Sequence, residues 1–181
     1  MSTPTISALI LAGGKATRLG GIAKHELVID GRSIFESQRE VLAPRVAEIV
    51  VSGAEVAGHR TVRDAIEGVG PLAGIAAGLG AIATPWLFVV AGDMPRLTGE
   101  LVDRMIAARG DELDAVGLRV GALPEPLVCV LHVRVREVVE RRLAAGRFKA
   151  SGLLTDEGLR VTWQDADPDA VVNINSPGDL T

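Results

Sequence analysis

A glycine pair followed by two spaced cations is the part of this chain best suited to handling polyphosphate. In Leu11-Ala12-Gly13-Gly14-Lys15-Ala16-Thr17-Arg18-Leu19-Gly20-Gly21-Ile22-Ala23-Lys24, an apolar run ends in Gly13 and Gly14, whose missing side chains let backbone N–H groups approach a phosphate. Arg18 offers a guanidinium suited to bidentate phosphate contact, and Lys24 offers a point charge. Glycine content alone fits a loop of solvated basic residues just as well; the strand in front and the two cations favour the phosphate cradle. Two commoner nucleotide motifs are excluded by counting. After four intervening residues Gly14 is followed by Leu19, where a Walker loop needs glycine and then Lys and Ser or Thr. Gly13-Gly14-Lys15-Ala16-Thr17-Arg18 does not supply the Gly-x-Gly-x-x-Gly turn of a dinucleotide-binding fold either.

A hard oxygen ligand stands at a second point. Asp93 follows the apolar run Leu87-Phe88-Val89-Val90-Ala91 and opens Asp93-Met94-Pro95, so its carboxylate is expected at the sheet edge, where it suits magnesium. It lies too far before Thr98 to serve as the cap of the next helix. Asp64 has two open readings, assistance to the metal or nucleotide and simple solvation. Gly70-Pro71-Leu72-Ala73-Gly74 reads as a rigid turn into a helix, where small residues let a base approach the backbone; packing alone is the other reading.

Other candidates carry less. Cys129 lies in Leu127-Val128-Cys129-Val130-Leu131 and reads as a small core residue rather than a nucleophile. Asp165-Ala166-Asp167-Pro168-Asp169 starts like a calcium loop, but Ala170 replaces the required glycine and Ser176 the bidentate glutamate, so a solvated turn is expected. His25, His59 and His132 are too scattered for a metal set. The cations Arg134, Arg136, Arg141, Arg142, Arg147 and Lys149, interleaved with Glu137 and Glu140, suit a solvated helix face that an anionic second substrate could partly use.

These residues must be held by regular elements. Apolar, β-branched runs predict buried strands over 8–11, 49–51, 87–91, 115–118 and 127–131. Helical spacing marks 33–42, 72–83, 98–108 and 135–144, with Thr98 as an N-cap. The alternation implies a three-layer α/β/α, Rossmann-like domain with a mostly parallel sheet and one antiparallel edge strand from the C-terminal half. Ligands bind such sheets beyond the carboxyl ends of strands where connections diverge, so the loops after Leu11 and Ala91 matter most. Asn173-Ile174-Asn175-Ser176-Pro177 reads as a strand end passing into a turn.

With 181 residues, 48% of them hydrophobic and 23% charged, the chain can bury one sizeable core, and one domain over 1–181 is expected. A formal net charge of −4 argues against nucleic acid and anionic membrane as partners, since both call for a concentrated positive surface. The apolar stretch from Ile6 to Ala12 is too short to span a bilayer and no basic segment precedes it, so a soluble, cytoplasmic protein is expected.

Leu11-Ala12-Gly13-Gly14 through Arg18 to Lys24 resembles the signature loop of the nucleotidyltransferase superfamily. With Gly70-Pro71-Leu72-Ala73-Gly74, Gly92-Asp93-Met94-Pro95 and the segment from Asn173 to Leu180, the chain is similar along nearly its whole length to molybdenum cofactor guanylyltransferases. The resemblance implies transfer of GMP from magnesium-GTP to molybdopterin or its molybdenum-loaded form, with release of pyrophosphate. It further implies that Arg18, Lys24 and Asp93 are catalytic, with Asp93 holding Mg2+. Leu11, Ala12, Gly13, Gly14, Lys24, Asp64, Gly70, Pro71, Leu72, Gly74 and Asp93 would bind the nucleotide, Asn173 and Asn175 would face the pterin, and a transient protein partner would deliver it. Related readings are a cytidylyltransferase, a sugar-phosphate nucleotidyltransferase and a nucleotide-binding module without turnover. The double glycine and Pro71-Leu72-Ala73-Gly74 look like the guanylyl branch. One departure stands out: relatives usually place aspartate before the loop lysine and a small residue after it, whereas this chain reads Ala23-Lys24-His25-Glu26.

Overall fold

The computed structural model describes residues 5–13, 23–63, 66 and 68–174. Its seven-stranded sheet is organised around β1 (Ile6–Leu11), which is buried at every position. Side chains alternate across a strand, so a strand apolar at consecutive positions needs cover on both faces. Ile6, Ala8 and Ile10 enter one core and Leu9 and Leu11 the other. The same alternation divides β6 (Trp86–Ala91), with Trp86, Phe88 and Val90 on the first face and Leu87 and Val89 on the second.

Helices α1 (Ile34–Leu42) and α3 (Gly99–Ala107) cover the first face through Phe35, Leu42, Leu101, Val102 and Met105. Helices α2 (Pro71–Ala81) and α4 (Arg136–Ala144) cover the second through Leu72, Ile75, Leu79, Val139 and Leu143. Full burial of one such side chain contributes about 1.5–3 kcal/mol. Starts of two helices follow from local chemistry. Ser33 and Glu36 form a reciprocal capping box on α1, and the Thr98 hydroxyl accepts from the Leu101 N–H at 3.2 Å, as expected.

The strand order is β5-β4-β1-β6-β8-β7-β9, where β4 is Ile49–Ser52, β5 Arg60–Val62, β7 Ala115–Val120, β8 Leu123–His132 and β9 Val161–Asp165. A separate hairpin joins β2 (Val28–Ile29) to β3 (Arg32–Ser33). β8 is the antiparallel strand from the C-terminal half, but it lies inside the sheet, between β6 and β7, and not at the edge as expected. The reason is twofold: a turn at Gly121-Ala122 returns it beside β7, and residues 128–131 are buried on both faces. The edges are the short β5 and the half-buried β9, parallel to their neighbours.

Cys129 is fully buried in the second core, and burial pushes its thiol up to about 12. The native protein is therefore expected to be inert to an aromatic disulfide reagent at neutral pH and to titrate one thiol per chain after denaturation; a rapid native reaction would contradict the packing. Arg142 departs from the expected solvated helix face. It is buried, with its guanidinium 2.6 Å from Glu157 and donating to the Gly152 and Lys149 carbonyls, so it pins the segment after α4 onto the helix. Arg136 and Glu140 do form the expected exposed pair, four residues apart. Asp167 caps a short 3-10 turn at Pro168–Val171, which agrees with a solvated turn there. Residues 172–174 continue irregularly from it, so Asn173 does not end a strand. No helix among the described residues is long and apolar enough to cross a membrane.

Candidate active site

β1 pairs with β4 on one side and β6 on the other, all parallel. The chain leaves β1 through α1 on one face and reaches β6 through α2 on the opposite face, so a crevice opens where these connections part. A cleft of about 1000 Å³ occupies that position, beyond the carboxyl ends of β1, β4, β5 and β6. Nucleotide-sized ligands need a few hundred to about 1,000 Å³.

Two residues separated by 69 positions meet in the cleft. The Lys24 Nζ donates to Asp93 Oδ2 at 2.8 Å, with the side chains 22% and 20% exposed, open enough for both to exchange partners. Lys24 is carried by a short 3-10 turn after the glycine loop, and Asp93 by the turn that ends β6. That second turn is held from three directions. The Gly92 N–H donates to the Leu11 carbonyl at 2.9 Å, the Gln38 amide of α1 donates to the carbonyls of Ala91 and Met94, and the Ile174 N–H donates to the Asp93 carbonyl at 3.0 Å. The last bond ties the residue that follows Asn173 to the turn, while Ile174 packs with Leu27 and Ile34.

Leu11, Ala12, Gly13, Gly70, Pro71 and Gly74 also line the cleft, as the nucleotide reading requires. Leu72 does not. Its side chain is fully buried under the sheet with Leu9 and Ile75, so that expectation is corrected to a packing role, because the second residue of α2 faces the core. Gly14, Arg18, Asp64 and Asn175 lie outside the described residues. Gly74 is small for a reason: a Cβ there would meet Ser52 and come within 2.9 Å of Leu11 Cδ2, so α2 can lie low against the strand ends.

The loop after β4 supports Gly13 directly. Gly53 has φ of +86°, and a Cβ on it would stand 2.5 Å from both the N and Cα of Gly13. Gly53→Ala is expected to destabilise the fold by about 2–4 kcal/mol and to weaken nucleotide binding, since strain and backbone overlap act together. Denaturant melts with parallel nucleotide titrations check both; a stable variant with unchanged affinity would refute the contact.

Sequence reasoning missed two groups. His25 lines the cleft and is buried, although the only test applied to it was membership of a metal set. Its position directly after Lys24 was the available signal, one that only the cavity around it makes meaningful. Glu125 sits on β8 where the pairing with β7 shifts register, and its carboxylate accepts the Leu127 N–H at 3.3 Å. Burial pushes its carboxyl up, the Leu127 N–H opposes this, and the charge of Asp93 adds to the rise, so the two carboxylates share one electrostatic environment.

That pair bears on a divalent cation. Among the described residues no group of three or more His, Cys, Asp or Glu could cage a metal. One cleft carboxylate with a second in electrostatic range fits magnesium, which takes one or two carboxylates and fills its shell with phosphate and water.

The architecture and the site together are those of a nucleotidyltransferase. Residues 8–161 match the family model described as the MobA-like NTP transferase domain, and the chain belongs to that family. It is 31% identical to a molybdenum cofactor guanylyltransferase of Shewanella baltica (strain OS155), covering 95% of this chain and 92% of the relative. It is 29% identical to one of Vibrio vulnificus (strain YJ016), covering 100% and 96%. Among solved structures, molybdopterin-guanine dinucleotide biosynthesis protein A from Archaeoglobus fulgidus superposes with a TM-score of 0.77 at 24% identity, covering 96% and 94%. A 2-C-methyl-D-erythritol 4-phosphate cytidylyltransferase from Thermus thermophilus gives 0.74 at 22% identity, covering 96% and 94%; these two likenesses establish the fold.

Proposed function

We propose that this enzyme transfers GMP from magnesium-GTP to molybdopterin or its molybdenum-loaded form, making the guanine dinucleotide cofactor and releasing pyrophosphate. The observation that carries the reading is the Lys24–Asp93 pair in the cleft at the switch point of the sheet. The relatives' names supply the nucleotide and the acceptor.

A phosphate oxygen of the acceptor attacks the α-phosphorus in line, and the bond to the β-phosphate oxygen breaks. No protein nucleophile is needed; positioning and charge neutralisation do the work. Lys24 turns its ammonium from Asp93 to the triphosphate, and Asp93 is thereby freed to hold magnesium. Asp93 would hold the magnesium, which would supply positive charge against that building on the leaving pyrophosphate. Gly13 offers backbone to the phosphates, and Gly70, Pro71 and Gly74 form the wall beside the base. Arg18 adds a second cation, and Gly14 and Asp64 complete the nucleotide contacts. Asn173 and Asn175 serve the pterin; the bond from Ile174 to the Asp93 carbonyl supports this, because it ties the residue after Asn173 to the turn that carries Asp93. A transient protein that delivers the pterin and a cytoplasmic setting belong to the same reading.

Calorimetric titration with GTP, CTP, ATP and UTP, with and without magnesium, tests it. Magnesium-dependent preference for GTP is expected. Preference for CTP would move the enzyme to cytidylyl transfer, and failure to bind any of the four would overturn the nucleotidyl-transfer reading.

A further inference from the structure

His25 is 3% exposed yet lines the cleft, directly after Lys24 and against the turn that carries Asp93: a Cβ built on Gly92 would stand 3.4 Å from the His25 Cβ. Its ring meets Phe35 of α1 edge-on, with centroids 6.4 Å apart, and Phe35 meets His59 edge-on at 4.9 Å. Packing therefore fixes where the imidazole points.

The ring's two nitrogens differ in surroundings. Nδ1 is enclosed and has no hydrogen-bond partner among the described residues. A buried N–H without an acceptor loses its water and gains nothing, whereas an idle lone pair costs less. The site therefore favours the tautomer with its proton on Nε2, the nitrogen not enclosed in this way, on a residue that lines the cleft. The result is a fixed N–H donor beside Lys24 and the Gly92-Asp93 turn, where anionic oxygens of a substrate would lie.

We propose that His25 is a further substrate-binding residue, its Nε2–H donating a hydrogen bond to a phosphate oxygen of the nucleotide held beside Lys24. The inference rests on the nucleotidyl-transfer reading and adds to it a further phosphate contact. A donor directly after the lysine extends the cradle along the phosphate chain.

Nitrogen-15 spectra of the three histidines, assigned by single variants, test the contact in the intact protein. Tripolyphosphate, and then magnesium-GTP, should move the Nε2 signal of His25 and leave His59 and His132 in place. Affinity for magnesium-GTP should fall about tenfold in His25→Asn, whose amide overlays Nδ1, and stay within about threefold in His25→Gln, whose amide reaches the place of Nε2. Guanosine, which lacks phosphate, should bind all three proteins alike. A motionless His25 signal, or Asn and Gln variants that both match the wild type, overturns the proposal. Equal losses for guanosine and magnesium-GTP also overturn it, because the ring would then only pack. If the wild type answers tripolyphosphate at His25 but shows no preference for GTP, the phosphate contact stands and the guanylyl reading falls.

Discussion

Asp93→Asn is expected to lower GMP transfer at saturating magnesium-GTP by about three orders of magnitude, the scale of losing a major electrostatic group from a phosphoryl site. The substitution suits the question because asparagine keeps the size of the side chain and an oxygen that can still accept from Lys24 Nζ, the bond seen at 2.8 Å. The backbone ties of the turn, from Gly92, Gln38 and Ile174, involve no Asp93 side-chain atom and remain. The thermal midpoint should therefore stay within about 4 °C of wild type, as for a stability change near 1 kcal/mol in a chain of this size. What disappears is the negative charge that a divalent cation needs. Pyrophosphate release across a magnesium series, with melts alongside, checks both halves. Near-normal rates would remove Asp93 from the metal role; a collapsed melt would make it a structural residue.

Lys24→Ala should cost about 10²–10³ in kcat/KM, with much of the loss in nucleotide affinity, since the ammonium meets the triphosphate in the ground state as well as in the transition state. Unchanged kinetics would show that the loop had been misread. The pair with Asp93 adds a quantitative demand. Because the two side chains touch before substrate arrives, removing either one changes what the other meets, and the double variant should lose less than the product of the single losses. Strict multiplicativity would mean that the two act on separate steps.

Much of this site could be read from residue order because the chemistry sits at strand ends. The runs 8–11 and 87–91 are apolar at successive positions, which announces strands buried on both faces, and the residues just past them are the ones the cleft collects. Capping at Thr98 was legible because it depends on neighbours only three residues away. Long-range relations were not. Residues 127–131 reveal burial but not direction, and only the short return at Gly121-Ala122 hints that β8 must run antiparallel to β7. Its insertion beside β6 is a matter of tertiary pairing. The strands β5 and β9 are short or half polar and give little periodic signal. The β2–β3 hairpin had a readable sign in Asp30-Gly31, which both take positive φ at its turn, as a two-residue hairpin loop favours. Leu72 was misjudged because a motif gives proximity to the site without saying which way each side chain turns. His25 escaped because a lone imidazole gains meaning only from the cavity around it.

The bond from the Ile174 N–H to the Asp93 carbonyl also sets an order of events during synthesis. Chains emerge from the ribosome N-terminal end first, and units can begin to fold as they appear. β1, β4, β5, α2 and β6, which form most of the cleft walls, all precede residue 94. The clasp on the turn that carries Asp93 has to wait until Ile174 is made. Until then the turn that carries Asp93 lacks its tie to the C-terminal segment, so the cleft gains its full set of supports only at the end of synthesis.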